Sequence, residues 1–548
     1  MSVESATVTL TRTITAAAGV FAPGHLGELT RFLPFDLVDA VLAETVRVQQ
    51  RLRDLPSRVV VYFVIALSLF PRSGYLLVWG KLVAGLSGLP LPTPSEAALR
   101  HARRRLGAAP LRALFDVVAG PSARPDTPGV TYRGLRTVAF DGCSSFKTAD
   151  TPEHRHWLGK VRHRQGTAGY PQLMLMAMVE TGSRALLGAR FGALSDGGEP
   201  GYASRLPHLL DKDMLVLLDR GFNGNTFLAD VAATGAHLLV RLTEGRRPPV
   251  ETPLPDGSYL THLGDLQARV IEAEITTVLA DGTTIGGRYR LATTLTDHHR
   301  HPAATLTGLY HERWEIESAF YALRHTLFHQ RVLRSATRAG LHQELWGLLI
   351  LYQLIRTAIT EATEQRPGTD PDRASFTIAL ANACNQLINA AGILPDTLAP
   401  TRGGSAATDA LPARRDRASQ RKVKSPISRY AYRPTDDPRP AASTAVTTRI
   451  HTIWATTRTP PPKPRTRPRT STLTQKILNR LHLTAGQPVT THDIADHTGI
   501  DATQARYKLA DMVNRGDIIR TRPGHFTTKP PAPTPTTPTR VLPPAHSP

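Results

Sequence analysis

The chain contains 548 residues, with 66 Lys and Arg against 45 Asp and Glu, and its formal net charge is +21. This length predicts several domains, and the excess of positive charge favours a polyanionic partner, nucleic acid first of all. The two cysteines, Cys143 and Cys384, are too few for a disulfide framework and form no CxxC zinc clamp, which favours a reducing, cytoplasmic setting.

The first domain, residues 15–122, is predicted to be helical and to bind DNA. Apolar residues recur at helical spacing before residues 59–70, VVVYFVIALSLF, and a basic stretch, HARRRLGAAPLRALF, comes later. The apolar run of about a dozen residues is too short for a bilayer, which needs about 20, so it predicts a buried helix. The N-terminus shows no secretory signal, and no membrane association is expected.

A mixed α/β domain is predicted over residues 130–400, after a Pro-rich break at 121–129. Its apolar runs are rich in β-compatible residues and stop at Gly or at a charge, as strands of a mixed sheet do. The predicted elements are a strand at 136–142, a hairpin-like pair over 173–192, a strand at 214–222, a β-rich block over about 236–295 and helices from 309 to about 391.

Beyond this domain, residues 401–470 are rich in Arg, Pro and Thr, a composition typical of a basic, semi-rigid linker. Residues 529–548 are Pro- and Thr-rich and are predicted to be a disordered tail.

Between linker and tail, residues 471–528 have the pattern of three short helices and a closing strand pair, which is that of a winged helix-turn-helix. Its candidate DNA-contacting residues are Arg506, Lys508 and Arg515. They would either read a base sequence or add phosphate contacts alone.

Three glutamates lie close together in YHERWEIESAFYALR, residues 310–324. If this stretch is a regular helix, each residue turns by about 100°, which places Glu317 on one face and Glu312 and Glu315 on the opposite, surface side. The residues that share one face are Tyr310, Arg313, Glu317 and Arg324. A glutamate between two arginines also fits an ordinary salt-bridged helix surface, so the helix alone leaves both interpretations open.

Two aspartates stand where apolar runs end. Asp141 follows TVAF, and Asp219 follows MLVLL. Because an unpaired carboxylate is costly to bury, the two invite a shared cation as the compensating charge. The alternative is that each aspartate caps a local turn and accepts a hydrogen bond from a nearby amide.

Three motifs in this order resemble those of the DDE transposases of bacterial insertion sequences, insertion-element-four type. FDG at 140–142, with DTPEHRHWLG at 150–159, resembles the first-aspartate region, and LLDRGFNG at 217–224 resembles the second. YHERWEIESAFYALR is similar to the signature Tyr-x2-Arg-x3-Glu-x6-Lys, with Arg324 at the Lys position. Cys143 stands where the family usually has a small hydroxyl residue. The resemblance covers about residues 15–400.

This resemblance implies a ribonuclease-H-like mixed α/β catalytic core with a β-rich insertion. It implies that Asp141, Asp219 and Glu317 are the catalytic residues and the ligands of two Mg²⁺ or Mn²⁺ ions. It further implies cut-and-paste transposition. The implied partner is double-stranded DNA, which includes the inverted-repeat ends and the target, and the protein is expected to act on it as a homodimer. The implied DNA-contacting residues are Tyr310, Arg313, Trp314 and Arg324, and a core position beneath the helix is the alternative for Trp314.

Two other functions remain as alternatives. One is a metal-dependent nuclease without strand transfer, and the other is a DNA-binding regulator whose acidic triad is inert. A zinc site at His325 and His329 is not expected, because no third ligand stands at a suitable spacing. Asp150 closes no strand and is interpreted as a structural or supporting residue.

Overall fold

The computed structural model describes residues 24–49, 54–86, 91–160, 162–163, 166–167, 169–391, 393, 411, 417–418, 443–453, 472–484, 487–514, 517–522 and 524–528. The chain divides into two compact units, Met1–Arg458 and Thr459–Pro548. Most of the predicted linker and the whole predicted tail lie outside the described residues. None of the helices in the described part of the chain has both the length and the apolar composition that crossing a bilayer demands.

The first unit begins with a helical region. Its α-helices are α1 (Phe35–Glu44), α2 (Ser57–Leu69), α3 (Tyr75–Val83), α4 (Glu96–Leu106) and α5 (Ala109–Val118). Helix α2 is the predicted buried helix: from Val59 to Leu69 all its residues are buried, because an all-apolar helix has no face that prefers water. Ser95 caps the start of α4 by accepting a hydrogen bond from the Ala98 amide.

A large mixed sheet follows. Its strands, with β13 and β14 contributed from later in the chain, are β1 (Thr131–Tyr132), β2 (Leu135–Lys147), β5 (Gln172–Glu180), β6 (Leu186–Gly192), β7 (Met214–Leu218), β8 (His237–Arg241), β9 (Thr252–Pro253), β10 (Tyr259–Leu263), β11 (Leu266–Leu279), β12 (Thr284–Thr293), β13 (Arg417–Ala418) and β14 (Ser443–Thr452). A separate short hairpin is formed by β3 (Arg162–His163) and β4 (Gly166–Thr167). The predicted strands near 136–142, 173–192 and 214–222 are all present.

The order of the main strands is β13-β14-β11-β12-β8-β7-β2-β5-β6. Strand β2 lies between β7, to which it is parallel, and β5, to which it is antiparallel, and β8 continues the parallel part beside β7. The β-rich block after β8 therefore does not form a sheet of its own. It extends the same sheet, because β12 pairs with β8 over Leu291 to Thr293.

Helices cover both faces of the sheet. They are α6 (Pro152–Leu158), α7 (Gly198–Ala203), α8 (Asn225–Ala233), α9 (Ala303–Leu309), α10 (Glu315–Tyr321), α11 (Arg338–Glu364) and α12 (Phe376–Ile388). Side chains alternate along a strand, so neighbouring residues of β2 enter different cores. Ala139 belongs to the core shared with α10, α11 and the N-terminal helices. Phe140 belongs to the core shared with α7 and α8.

Two regions differ from the sequence-based expectation. The predicted long helical stretch from residue 309 is interrupted: α10 lies between a 3₁₀ segment, Tyr310–Trp314, and a π-helical segment, Ala322–Leu327, and irregular chain precedes α11. The second difference is β14, which lies in the predicted linker and pairs antiparallel with β11. Its sequence, STAVTTRIHT, is rich in β-branched residues, which favour strands.

The second unit contains α13 (Thr472–Leu483), α14 (Thr491–Thr498), α15 (Ala502–Asn514), β15 (Val489–Thr490), β16 (Ile518–Arg522) and β17 (His525–Thr528). The three strands form one antiparallel sheet in the order β15-β17-β16. A capping box between Thr490 and Asp493 starts α14, and Asp501 accepts hydrogen bonds from the first amides of α15. Ile477, Leu509 and other apolar residues form its own core.

Candidate active site

The two predicted aspartates lie on neighbouring parallel strands. Ala139 of β2 is in register with Leu217 of β7, so Asp141 and Asp219 stand two residues further along each strand. Alternation then directs both side chains to the face on which Ala139 and Leu217 lie, which is also the face covered by α10. Two carboxylates from distant parts of the sequence are thus brought side by side.

Each aspartate also accepts a hydrogen bond from a local amide. The Gly142 N–H donates to Asp141 Oδ1 at 2.8 Å, and the Gly221 N–H donates to Asp219 Oδ1 at 2.5 Å. Asp219 caps the short 3₁₀ turn Arg220–Phe222, whereas Asp141 lies inside β2, which continues to Lys147 and does not end at the aspartate as the sequence suggested. The local hydrogen bond is therefore confirmed for both aspartates and the turn cap for Asp219 alone, and the second oxygen of each carboxylate stays available for other contacts.

The third carboxylate, Glu317, lies on α10 and is exposed. Its charge and that of Asp219 both raise the pKa of Asp141. Burial is the largest cause, the Arg313 guanidinium acts in the opposite direction, and together these effects raise the pKa of Asp141 to about 7. The structure therefore brings the predicted triad and Arg313 within electrostatic range of one another.

Tyr310 and Arg313 are both buried beneath this site. The Tyr310 hydroxyl donates to the carbonyl oxygen of Leu218, the residue before Asp219, at 3.0 Å. Burial raises the pKa of Tyr310, and the nearby Asp219 charge adds to the effect. The Arg313 Nε atom is buried and has no hydrogen-bond partner within the described residues, although the guanidinium carbon lies 4.7 Å from the centre of the Trp314 ring.

Trp314 and Arg324 are the remaining predicted DNA-contacting residues of this segment. Trp314 is 36% exposed, which does not fit the alternative of a core tryptophan. Arg324 lies in the π-helical segment and is half-buried, and its charge is not among those that shift the pKa of Asp141. The Arg313 charge is the one of these two arginines that is shown to act on Asp141.

Glu315 was expected at the surface, and this expectation is wrong. Its side chain is buried and accepts a hydrogen bond from Arg184 Nε at 2.5 Å, while the same guanidinium also pairs with the buried Asp372. The angular argument assumed a uniform helix, but the 3₁₀ segment before α10 changes the turn per residue. A counter-charge from a distant hairpin then makes burial of the glutamate favourable.

A fourth carboxylate, Glu199, lies in the site and was missed by the sequence analysis. It lies in the first turn of α7 and is half-buried. Burial raises the pKa of Glu199, and the charge of Asp219 raises it further. Nothing in its local sequence, DGGEPG, indicates this position, because the contact joins residues that are far apart in the chain.

Within the described residues, no three carboxylate, imidazole or thiolate side chains meet as a finished metal site. The donor chemistry nevertheless fits a hard divalent cation, since carboxylate oxygens are the ligands that Mg²⁺ and Mn²⁺ prefer. Four carboxylates with Arg313 as the nearby positive charge also leave an excess of negative charge that a cation would balance.

The candidate DNA-binding residues of the second unit lie on α15. Arg506 is exposed, and Lys508 is half-buried with its ammonium 3.6 Å from Asp511 Oδ2. Arg515 lies outside the described residues. Tyr507, which is 65% exposed, lies between the two basic residues in the sequence.

Comparisons with known families agree with this site. Residues 134–354, which contain both aspartates and Glu317, match the model of the transposase DDE domain. Residues 23–116 match the model of the insertion element 4 transposase N-terminal region. Together these two models cover more than half of the chain, and they define its class: the protein is a DDE transposase.

Two proteins of Escherichia coli (strain K12) extend this result. The transposase InsG for insertion sequence element IS4 is 29% identical over 421 residues, which cover 75% of this chain and 94% of InsG. The putative transposase InsZ is 30% identical over 160 residues, 29% of this chain and 51% of InsZ. The chain therefore belongs to the insertion element 4 family of transposases, which act in DNA transposition.

Two further similarities were found. Residues 474–525, in the second unit, match the model of FaeA-like proteins. The cryo-EM structure of a piggyBac transposase synaptic complex with hairpin DNA aligns with 70% of this chain and 84% of that chain, at 12% identity and a TM-score of 0.38.

Proposed function

We propose that this transposase binds the terminal inverted repeats of its insertion sequence, hydrolyses phosphodiester bonds there and joins the released 3′-hydroxyl ends to target DNA. One observation carries the proposal: Asp141 and Asp219 follow in-register residues of the neighbouring parallel strands β2 and β7, and the charges of Asp219 and Glu317 both raise the pKa of the buried Asp141. Both ends must be held together, so we expect at least a homodimer on double-stranded DNA.

Asp141, Asp219 and Glu317 are proposed to hold two divalent cations, Mg²⁺ or Mn²⁺. Bound there, the ions would lower the pKa of the attacking water or 3′-hydroxyl and stabilise the leaving oxygen. The chain's own contribution is positional. The amides of Gly142 and Gly221 fix one oxygen of each aspartate, and the Tyr310 hydroxyl holds the end of β7 at Leu218.

Arg313 is proposed to act inside the site. Its buried guanidinium lowers the pKa of Asp141 and has an Nε donor without a partner among the described residues, so it suits a phosphate oxygen that approaches the carboxylates. Trp314 and Arg324 are proposed to contact DNA further out, with the exposed Trp314 ring available to stack on a base. Tyr310, whose hydroxyl is already used, is proposed to act by positioning Asp219.

We also propose an arrangement of three domains. The strand order β6-β5-β2-β7-β8, with the first three strands antiparallel and the last three parallel, supports a ribonuclease-H-like core within residues 130–400. Three helices with a three-stranded antiparallel sheet support a winged helix-turn-helix within residues 471–528. Residues 15–122 are proposed to be a helical DNA-binding domain.

That N-terminal domain presents only part of its basic sequence to DNA. In HARRRL, Arg103 is buried, whereas Arg104 and Arg105 are exposed. Exposed arginines are suited to phosphate contacts, and such contacts fix the register of a protein on DNA without reading its sequence.

The test is cleavage and joining of DNA that carries the element's own ends, with Mg²⁺, comparing the wild type with Glu317→Gln. Glu312→Gln is the matched control, since it removes the same charge from the same helical region. We expect the Glu317 variant to bind the ends but to form neither product, and the control to form both.

Other outcomes identify the alternatives. Cleavage by the Glu317 variant at the wild-type rate would overturn the triad assignment. Cleavage without joining by the wild type would support a nuclease. Sequence-specific binding with no cleavage at all would support a DNA-binding regulator with an inert triad.

A further inference from the structure

Glu199 reaches the site through space left by Gly142. Gly142, next to Asp141, has no side chain, and a methyl group placed on it would lie 2.6 Å from Glu199 Cγ and 2.8 Å from Glu199 Oε1. The Glu199 side chain, together with that of Met174, therefore occupies the place that a side chain at position 142 would fill, on the face of β2 opposite to the Asp141 side chain. Because Gly142 has an ordinary, negative φ, the close approach of these side chains and not the backbone conformation is what favours glycine there.

A second glycine places Glu199 beside Asp219. A methyl group on Gly221 would lie 2.9 Å from Asp219 Oδ1 and 3.9 Å from Glu199 Oε2. One point is thus within 4 Å of an oxygen from each carboxylate. Glu199 approaches from the core that α7 shares with β2 and β7, whereas Glu317 approaches from the opposite core.

Among the residues that the structure describes, no cation balances the charge of Glu199. Within the described residues, no ion pair or hydrogen bond to its carboxylate is found, while the nearest charge acting on it is the negative charge of Asp219. A half-buried carboxylate beside another carboxylate is unfavourable unless a cation or a proton compensates it. Arg313, the positive charge of the site, acts on Asp141 and not on Glu199.

We propose that Glu199 is a fourth carboxylate ligand of the catalytic site and holds, together with Asp219, one of its two divalent cations. This inference rests on the proposed function, since it assumes that Asp219 is itself a metal ligand. It assigns to α7 a chemical role that the three-residue signature does not contain. A purely structural role in the first turn of α7 is the competing explanation, because an acidic residue there also stabilises a helix.

The test measures binding of Mn²⁺ to the full-length protein without DNA, from the loss of the free Mn²⁺ electron paramagnetic resonance signal. The variants are Glu199→Gln and Asp219→Asn. Asp196→Asn is the control: it lies three residues before Glu199 and removes the same charge, but its carboxylate faces the Tyr202 hydroxyl at 3.3 Å. Loss of residues that only support metal ligands weakens binding by about 10- to 100-fold, so loss of a direct ligand is expected to cost at least about tenfold.

We expect Mn²⁺ affinity to fall in Glu199→Gln and Asp219→Asn and to stay unchanged in Asp196→Asn. Glu199→Asp, which keeps the carboxylate on a shorter side chain, is expected to recover part of the affinity. Unchanged affinity in Glu199→Gln, with weakened binding in Asp219→Asn, would overturn the role of Glu199 and leave the proposed function intact. Unchanged affinity in both variants would overturn the metal site itself, and with it the proposed function.

A second measurement separates metal binding from folding. The Mg²⁺ concentration that gives half-maximal DNA cleavage is expected to rise at least about tenfold in Glu199→Gln, as expected for a lost ligand, while the affinity for the DNA ends stays constant. A structural role would instead lower cleavage at every Mg²⁺ concentration, without moving that midpoint, and this result would also overturn the proposal.

Discussion

Replacing Glu315 by alanine is predicted to destabilise the first unit strongly, although Glu315 lies only two residues from the exposed Glu317. Glu315 is 8% exposed and Arg184 is 7% exposed, and Asp372 is buried beside them. The fully buried Arg356 is close enough to be affected by both Arg184 and Glu315. Two acidic and two basic side chains therefore balance one another in this cluster, and removing Glu315 leaves a buried excess of positive charge.

The size of the effect follows from this geometry. Breaking a buried ion pair by removing one partner costs about 3 to 5 kcal/mol. Arg184 keeps its pairing with Asp372, so we expect a loss near the lower limit, about 3 kcal/mol. Exposed Glu317 lacks this burial, and Glu317→Ala is expected to change the unfolding free energy by no more than about 0.5 kcal/mol.

Urea unfolding monitored by tryptophan fluorescence measures this effect in the first compact unit. All five tryptophans precede residue 459, so the signal reports on the first unit alone. The product of midpoint and slope gives the unfolding free energy. If the two variants unfold at the same urea concentration as the wild type, the balanced buried cluster is not what holds α10 on the sheet.

Three further changes have defined outcomes. Burial lowers the pKa of His25 from 6.5 to about 4, so as pH falls the unfolded chain takes up this proton before the folded chain does. The stability contributed by neutral His25 is complete above pH 6.5, and the unfolding free energy falls by about 3 kcal/mol as pH falls to 4. The unfolding free energy of His25→Gln should therefore depend less on pH across this range than that of the wild type. Arg103 donates hydrogen bonds to three side chains and one carbonyl, so Arg103→Lys should lower the unfolding free energy measured in urea by about 2 kcal/mol. Arg104→Lys, at an exposed position, should change it little, and equal effects of the two substitutions would contradict this role of Arg103. Arg506 is exposed, and Arg506→Ala should weaken binding to unrelated DNA and to the element's own ends by the same factor. In anisotropy titrations, the slope of log affinity against log salt concentration should become smaller by about 1. An unchanged slope would show that Arg506 is not part of the DNA interface.

Local patterns were sufficient for much of the architecture. The apolar run at 59–70 became the buried helix α2, and the runs before Asp141 and Asp219 became the neighbouring strands β2 and β7. These elements could be predicted because each is a continuous apolar segment, and such a segment is stable only when it is buried in the core. The pairing of the two aspartates follows because both strands are parallel and end their apolar runs at the same level of the sheet.

Contacts between distant residues could not be inferred in the same way. The burial of Glu315 depends on Arg184, which lies 131 residues earlier in the chain. Glu199 enters the site because Gly142 leaves space for it, and no periodicity in its own segment indicates this. The uniform helix assumed from Tyr310 onward also failed, since the turn per residue changes twice before α11.

The pairing of β14 with β11 determines when the sheet can be completed during synthesis. Ile275 lies opposite Ile450, so β11 cannot pair along this edge until β14 has been translated, 175 residues later. Until then, the outer edge of β11 from Ala273 to Leu279 exposes unpaired backbone groups, to which another chain can add a strand. A nascent or truncated chain that ends near residue 400 contains every catalytic carboxylate yet keeps this edge open. Aggregation of incomplete chains is therefore the expected hazard of this transposase, and only the chain that includes β14 closes its own edge.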